Sequence, residues 1–233
     1  MRLHRFIGNV DCSLDRVEIV DEEIVNQIVR VLRLGVGDRV ILGDGHANEC
    51  IGEIIERHKD KLVVSVIERS VNANDPIVSA VLYCAILKRE NFELVVQKAT
   101  EIGVREIVPL ITARTIKLDI KEDRLHKIVK EASEQSGRGR LPIVHAPMAF
   151  RDALVDARRN VKNLLFDIGD TITDASIVHG TASRGLFVGP EGGWTEEEVL
   201  AARDAGCEIV SFGKLTFRAE TAAIVASYIG TRD

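Results

Sequence analysis

Nowhere in its 233 residues does this sequence offer the roughly 18 consecutive apolar positions that a membrane-spanning helix requires. Its first residues, Met1-Arg2-Leu3-His4-Arg5-Phe6-Ile7, break at Gly8-Asn9 and turn acidic at Asp11. No signal-peptide core of about 7–15 apolar residues forms there, so a cytosolic protein is expected, with no membrane partner. Cysteine is scarce and scattered: Cys12, Cys50, Cys84 and Cys207 include no C-x-x-C pair and stand near no histidine doublet. That spacing excludes a local zinc finger and a disulfide framework, and predicts buried free thiols and no metal. The histidines, His4, His46, His58, His126, His145 and His179, are equally dispersed and read as surface or packing residues. An excess of positive charge is also missing. The net charge is -5 and the pI about 5.8, so any contact with nucleic acid must be a local basic patch.

Two further absences narrow the chemistry. No Gly-Lys-Ser/Thr follows any glycine loop, which excludes a phosphate-binding P-loop. No G-x-G-x-x-G opens a helix either, which disfavours a nicotinamide enzyme. Neither an internal repeat nor a low-complexity tract interrupts the chain.

What is present falls into two halves. Hydrophobic residues at 45% and charged residues at 29% are ordinary for a globular protein. Val17–Val20 reads as a strand, and Asp21-Glu22-Glu23 suits a helix N-terminus. Ile24, Ile28, Val31 and Leu32 recur at helical spacing, with Gly35 and Gly37 placed to stop the helix. Arg39–Leu42 is a strand before the turn signal Gly43-Asp44-Gly45, and strands follow at Ile51–Ile55 and Leu62–Ile67. This pattern predicts a small β-barrel over residues 1–72. The polar stretch Val71–Pro76 marks the boundary.

Over residues 73–233 strands and helices alternate. Strands are expected at 77–87, 106–111, 164–166, 186–188 and 209–211. The helices are marked by the stripe Phe92, Val95, Val96, Ala99 and Ile102, by Leu125, Ile128, Val129 and Ala132, by the run from Thr195, and by 219–229. Alternation of this kind predicts an α/β domain with a mostly parallel sheet. Ligands of such sheets bind beyond the carboxyl ends of the strands. Three loops there are unusual: Asp167-Ile168-Gly169-Asp170, Gly189-Pro190-Glu191-Gly192-Gly193-Trp194, and Phe212-Gly213-Lys214-Leu215-Thr216-Phe217-Arg218. The second lets backbone approach a ligand closely, although a tight strand-to-helix turn needs glycine equally. Thr195 and Glu198 form a capping box behind it.

Four segments, in order along the chain, resemble signatures of the ribosomal RNA small subunit methyltransferase E family. They are Lys88-Arg89-Glu90-Asn91-Phe92 running on to Thr100-Glu101-Ile102-Gly103-Val104, Glu131-Ala132-Ser133-Glu134-Gln135-Ser136-Gly137-Arg138, Gly189-Pro190-Glu191-Gly192-Gly193, and Phe217-Arg218-Ala219-Glu220-Thr221-Ala222. Val31-Leu32-Arg33-Leu34 and Gly37-Asp38 extend the likeness into the first half, so it covers nearly the whole chain. The resemblance implies a PUA-like RNA-binding barrel followed by a SPOUT methyltransferase domain with a trefoil knot, and a homodimer. It implies transfer of a methyl group from S-adenosylmethionine to N3 of uridine 1498 in the 16S rRNA of the small ribosomal subunit. The alternatives are another SPOUT enzyme acting on a ribose 2′-hydroxyl or a guanine, and a non-catalytic RNA-binding assembly factor.

By the same resemblance, Phe166, Gly189, Glu191, Gly193, Phe212, Leu215 and Phe217 hold the adenosyl group, with Leu215 and Phe217 walling the adenine. For the apolar residues among them, core packing is the competing role. Arg218 is the candidate catalytic residue, stabilising negative charge that develops on the uridine. A phosphate contact or a bridge to Glu220 would serve it equally. Glu191 is a general base or, more simply, a cap on its turn. Where the family usually has Gly-Pro-Arg, this chain has Gly213-Lys214-Leu215. RNA contacts are expected from Arg5, Arg30, Arg33, Lys88, Arg89, Arg114, Arg138 and Arg140. Arg30 and Arg33 are spaced to share a helix face, and Ser136–Arg140 reads as a flexible basic loop.

Overall fold

The structure is a computed structural model that describes residues 3–116, 120–169 and 182–232, apart from the side chain of Arg89. The chain divides into two compact units: Met1–Asp75 with Ser133–Leu141, and Pro76–Ala132 with Pro142–Asp233. Composition marks the crossing near Asp75-Pro76. Nothing in it marks the return of Ser133–Leu141 to the first unit, because that segment begins inside a helix of ordinary amphipathic pattern.

The first unit opens with β1 (His4–Ile7), β2 (Arg16–Ile19) and α1 (Glu22–Asn26), which runs on as a π-helical turn over Gln27–Val31. The strands β3 (Arg39–Gly43), β4 (Asn48–Arg57) and β5 (Leu62–Val71) follow. They form a five-stranded sheet in the order β1-β3-β4-β5-β2, with β1 parallel to β3 and the other pairs antiparallel. The β4–β5 register shifts at Ile51/Gly52 and Ile54/Glu56, irregularities of the kind that bend a sheet around its core. Phe6, Ile24, Ile28, Val40, Leu42, Ile54, Leu62 and Val64 fill that core. Asp21 caps α1 by accepting a hydrogen bond from the Ile24 amide at 3.0 Å.

The helix ends sooner than its glycines suggest. The Leu32 amide donates to Gln27 O and the Leu34 amide to Ile28 O, both at 2.9 Å, and Arg33 between them takes the left-handed φ of 58°. The chain therefore turns at Arg33, not at Gly35. Arg30 and Arg33 do not share a helix face, since Arg33 lies beyond the helix.

The second unit contains a seven-stranded sheet, parallel throughout. Its strands are β6 (Ser79–Ala85), β7 (Glu106–Ile111), β8 (Ile143–Val144), β9 (Met148–Ala149), β10 (Lys162–Phe166), β11 (Ser183–Val188) and β12 (Glu208–Val210). The order is β12-β10-β11-β6-β7-β8, and β9 also pairs with β7. Helices cover both faces. On one side α2 (Arg89–Ile102), α3 (Glu122–Ser136) and α6 (Ala219–Gly230) pack Val95, Val96, Leu125, Val129 and Ala223 against Leu82, Leu164 and Leu186. On the other, α4 (Phe150–Asp156) and α5 (Glu196–Asp204) pack Phe150, Leu154 and Ala202 against Tyr83, Leu165 and Phe187. Burial on both faces explains why β6 is apolar from Ala80 to Ala85 with no polar alternation. It also puts the three notable loops at the carboxyl ends of β10, β11 and β12, which are adjacent strands.

Candidate functional site

A cavity of about 460 Å³ opens at those strand ends, a volume suited to a small organic ligand. Phe166, Gly189, Glu191, Gly193, Phe212, Leu215, Phe217 and Arg218 all line it, so residues from three separate loops meet around one space. The site is built entirely within the second unit. Lys88 and Asn91, at the start of α2, complete the wall. Asp170, the last residue of the first loop, lies outside the described residues, as does His179.

Three rings make the apolar side. Phe166 stacks on Phe212 with centroids 4.8 Å apart, and Phe212 stacks on Phe217 at 5.3 Å. Phe166 is buried and Phe217 partly exposed, so the ladder runs from core to cavity. Leu215 is 79% exposed. It reaches the cavity from a loop in which Gly213 has a φ of 99°, a left-handed value that favours glycine. Ser211 ties the first loop to the third: its hydroxyl donates to Gly169 O at 2.9 Å and accepts from the Gly213 amide at 3.1 Å.

The middle loop is held from several sides. The Trp194 indole N–H donates to Phe166 O at 2.9 Å, joining the ends of β10 and β11. A Cβ at Gly189 would lie 3.0 Å from that indole, so glycine allows the ring to fold over the backbone. Gly193 has a φ of 69°, and its amide donates to Pro190 O at 2.8 Å. The capping box is present: Thr195 accepts from the Glu198 amide at 3.2 Å while Glu198 accepts from the Thr195 amide at 2.9 Å. The other carboxylate oxygen of Glu198 accepts from the Ala113 amide at 2.9 Å, so the cap also fastens the turn after β7.

Charged groups of the site differ in their engagement. Glu191 is exposed and accepts from the Lys88 amide at 3.3 Å, a bond that ties the loop to the start of α2. Beneath it, burial raises the pKa of the Cys84 thiol and the Glu191 carboxylate adds to the effect, which leaves Cys84 protonated and unreactive. Arg218 occupies the N-cap of α6, and no side chain caps that helix. Its exposed guanidinium has no hydrogen-bond or ion-pair partner among the described residues, so the bridge to Glu220 is not formed.

The residues expected to touch RNA are placed unequally. Arg30, Arg33, Arg114, Arg140 and Lys88 are exposed. Arg30 lines a groove of about 470 Å³ with Lys59, Lys61, Glu22 and Asp60 in the first unit. Arg5 is instead paired with the buried Glu49. Arg138 is only 5% exposed and bonds Asp75 at 2.8 Å, with the Gly139 and Arg140 amides on the same carboxylate. The expected flexible loop is thus a fixed turn, because one carboxylate gathers its donors. Arg114 gives its guanidinium to loop carbonyls, at 2.6 Å from Gly192 O and 3.1 Å from Trp194 O. The Arg89 side chain lies outside the described residues.

Sequence reasoning did not single out Trp194, Ser211 or the second bond of Glu198. The only tryptophan in the chain, set beside two glycines, was the available signal for the first. The others depend on contacts across the sheet edge and leave no local mark. Among the described residues no group of three or more His, Cys, Asp or Glu could hold a metal ion, and no helix is long and apolar enough to cross a membrane.

The parallel sheet with its glycine loop and aromatic cradle falls within a known RNA methyltransferase domain, and the small mixed sheet falls largely within the PUA domain of such enzymes. The RNA methyltransferase domain model matches residues 73–229, and the RNA methyltransferase PUA domain model matches residues 20–67. The ribosomal RNA small subunit methyltransferase E of Rickettsia conorii is 30% identical over 91% of this chain and 87% of its own length. The protein of that name from Mesomycoplasma hyopneumoniae is 32% identical over 68% of this chain and 72% of its own. The chain belongs to the ribosomal RNA small subunit methyltransferase E family. Among solved structures, the Neisseria gonorrhoeae member bound to S-adenosylmethionine superposes with a TM-score of 0.86 at 28% identity, covering 97% of this chain and 95% of that one. A Legionella pneumophila methyltransferase in complex with the same cofactor gives 0.87 at 25% identity, covering 99% and 97%.

Proposed function

We propose that this protein transfers a methyl group from S-adenosylmethionine to N3 of uridine 1498 in 16S rRNA of the small ribosomal subunit. The methyl-donor part of this reading is supported by the convergence of Phe166, Gly189, Glu191, Gly193, Phe212, Leu215, Phe217 and Arg218 on one cavity, and the target nucleotide rests on the family resemblance. Its donor set fits the methyl donor: aromatic and aliphatic faces for the adenine, and glycine backbone without side chains for its polar edge. When bound, S-adenosylmethionine supplies an electrophilic methyl on a sulfonium, and that transfer requires no metal.

The chain's own task is to make the uridine nucleophilic. N3 carries a weakly acidic proton, and its loss places negative charge on the base. Arg218, at the cavity wall and without a partner among the described residues, stabilises that charge as it develops. Trp194 and the Thr195–Glu198 cap hold the middle loop rigid, so the donor meets a fixed surface. Arg30, Arg33, Arg140 and Lys88 supply the phosphate contacts, since their charges face solvent. We further propose that the second unit carries the trefoil knot of its class, that the protein works as a homodimer, and that it acts in the cytoplasm, where ribosomal subunits are assembled.

The test uses 16S rRNA, free or in the small subunit, incubated with protein and donor. Methylation at N3 removes the Watson–Crick donor of uridine, so reverse transcription should stop one nucleotide before position 1498. Mass spectrometry of the excised nucleoside should give N3-methyluridine. A methyl on a ribose 2′-hydroxyl or a guanine would overturn this assignment in favour of another target. Donor binding without transfer to either substrate would favour a binding factor.

A further inference from the structure

We infer that Arg114 is a positioning residue for the donor-binding loop and not a contact to RNA phosphate. This rests on reading the cavity as the methyl-donor site. Arg114 stands in a tight turn after β7, closed by the Thr112 amide donating to Thr115 Oγ1 at 2.9 Å and by the Thr115 amide donating to Thr112 O at 3.2 Å. A single guanidinium nitrogen reaches both Gly192 O, at 2.6 Å, and Trp194 O, at 3.1 Å. Those carbonyls flank Gly193, whose φ of 69° marks the bend of the loop. Two carbonyl dipoles pointed at one place repel each other, and a cation between them reverses the sign of that interaction.

The stem of Arg114 contributes as well. A Cβ at Gly192 would lie 3.3 Å from Arg114 Cδ, so the glycine leaves room for the arginine to lie along the backbone. From the opposite side Glu198 accepts from the Ala113 amide at 2.9 Å. The turn after β7 is therefore fastened twice to the loop that leads into α5, once through a cation and once through a carboxylate. Gly189, Glu191 and Gly193 line the cavity from that loop, and Arg114 itself does not. It acts on the donor through the shape of the loop. A lysine offers a point charge without the planar fork, so it should replace Arg114 only in part.

The experiment compares Arg114→Ala and Arg114→Lys with the parent protein in two titrations: calorimetry with S-adenosylmethionine, and filter binding of a 16S rRNA fragment at several salt concentrations. In Arg114→Ala the donor Kd should rise about tenfold or more, as expected for loss of hydrogen bonds from a charged group. The RNA Kd and its salt dependence should stay unchanged. In turnover, KM for the donor should rise with kcat nearly preserved at saturating donor, and Arg114→Lys should fall between the two. Should the alanine variant melt far below the parent, the lysine variant carries the same comparison. Parental donor affinity in Arg114→Ala, with weaker RNA binding and a salt slope flatter by roughly 0.7–0.9, would overturn the inference and make Arg114 a phosphate contact. A parent protein that binds no donor would remove the donor-site reading itself, and this inference with it.

Discussion

At Gly193 the backbone takes a φ of 69°, a region that β-branched side chains avoid, and the residue lines the cavity wall. Gly193→Val should therefore abolish binding of S-adenosylmethionine both by straining the bend and by filling space the donor needs. Calorimetry checks this, with circular dichroism to show an intact fold; parental affinity would remove this loop from the donor site. Arg218 poses the opposite case, a charged group without a partner among the described residues. Arg218→Ala should leave donor and RNA affinities near parental while single-turnover methylation slows by about 100-fold, as when one transition-state donor is lost. An unchanged rate would take Arg218 out of the chemistry. Arg5 and Arg138 show how far residue type alone carries such a reading. Both are basic residues in suitable segments, yet Glu49 and Asp75 hold them. Those acidic partners lie 44 and 63 positions away in sequence, where no local pattern connects them.

Among the elements, β7 carries a network at its amino end that is remote from the cavity lining. Glu106 accepts two bonds from Arg159, at 2.7 and 2.8 Å, and contacts the His145 ring at 2.7 Å. The Arg159 bond, opposed by partial burial and joined by that of His145, holds the Glu106 carboxyl below the usual carboxylate range. Folding thus favours its ionised form. The stabilisation is complete above the unfolded value of about 4.3 and is lost as pH falls through the lower folded value. Glu106→Gln should accordingly destabilise the protein at pH 7 and make little difference near pH 3, which denaturant titrations at the two pH values would show; an equal loss at both would mean packing, not charge, is at stake. The elements themselves were legible where periodicity was long. The apolar run of β6 and the stripe of α2 match strand and helix closely. Local sequence pattern does not mark β1, β8, β9 or α4. β8 and β9 have two residues each, too few for a period to register, and α4 is a two-turn helix whose N-cap, Ala149, has no capping side chain. The glycine loops were legible as loops; that they converge on one cavity follows from the strand order β12-β10-β11, which sequence spacing does not encode.

For the molecule as a whole, net charge of -5 means that RNA must be drawn by local charge alone. Replacing Arg30 and Arg33 with alanine should weaken RNA association and flatten log affinity against log salt by roughly 0.7–0.9 for each phosphate no longer neutralised, with donor affinity unchanged. A parental slope in filter binding would make both residues ordinary solvated surface. Sedimentation at micromolar concentration should show a dimer; a 25.7 kDa species would contradict the proposed assembly. The first unit also has a consequence for the order of events during synthesis. Its chain is not continuous: the Ile7 amide donates to Glu134 at 2.8 Å, Ala47 donates to Gly139 O at 2.8 Å, and Asp75 awaits Arg138. A nascent chain that has emerged only as far as Asp75 leaves the Ile7 and Ala47 amides and the Asp75 carboxylate without these partners. Domains generally fold amino end first as they leave the ribosome. Here the first 75 residues lack their closing segment, Ser133–Leu141, until Pro76–Ala132 has been translated. Cutting the gene at Asp75 would therefore not release a finished module.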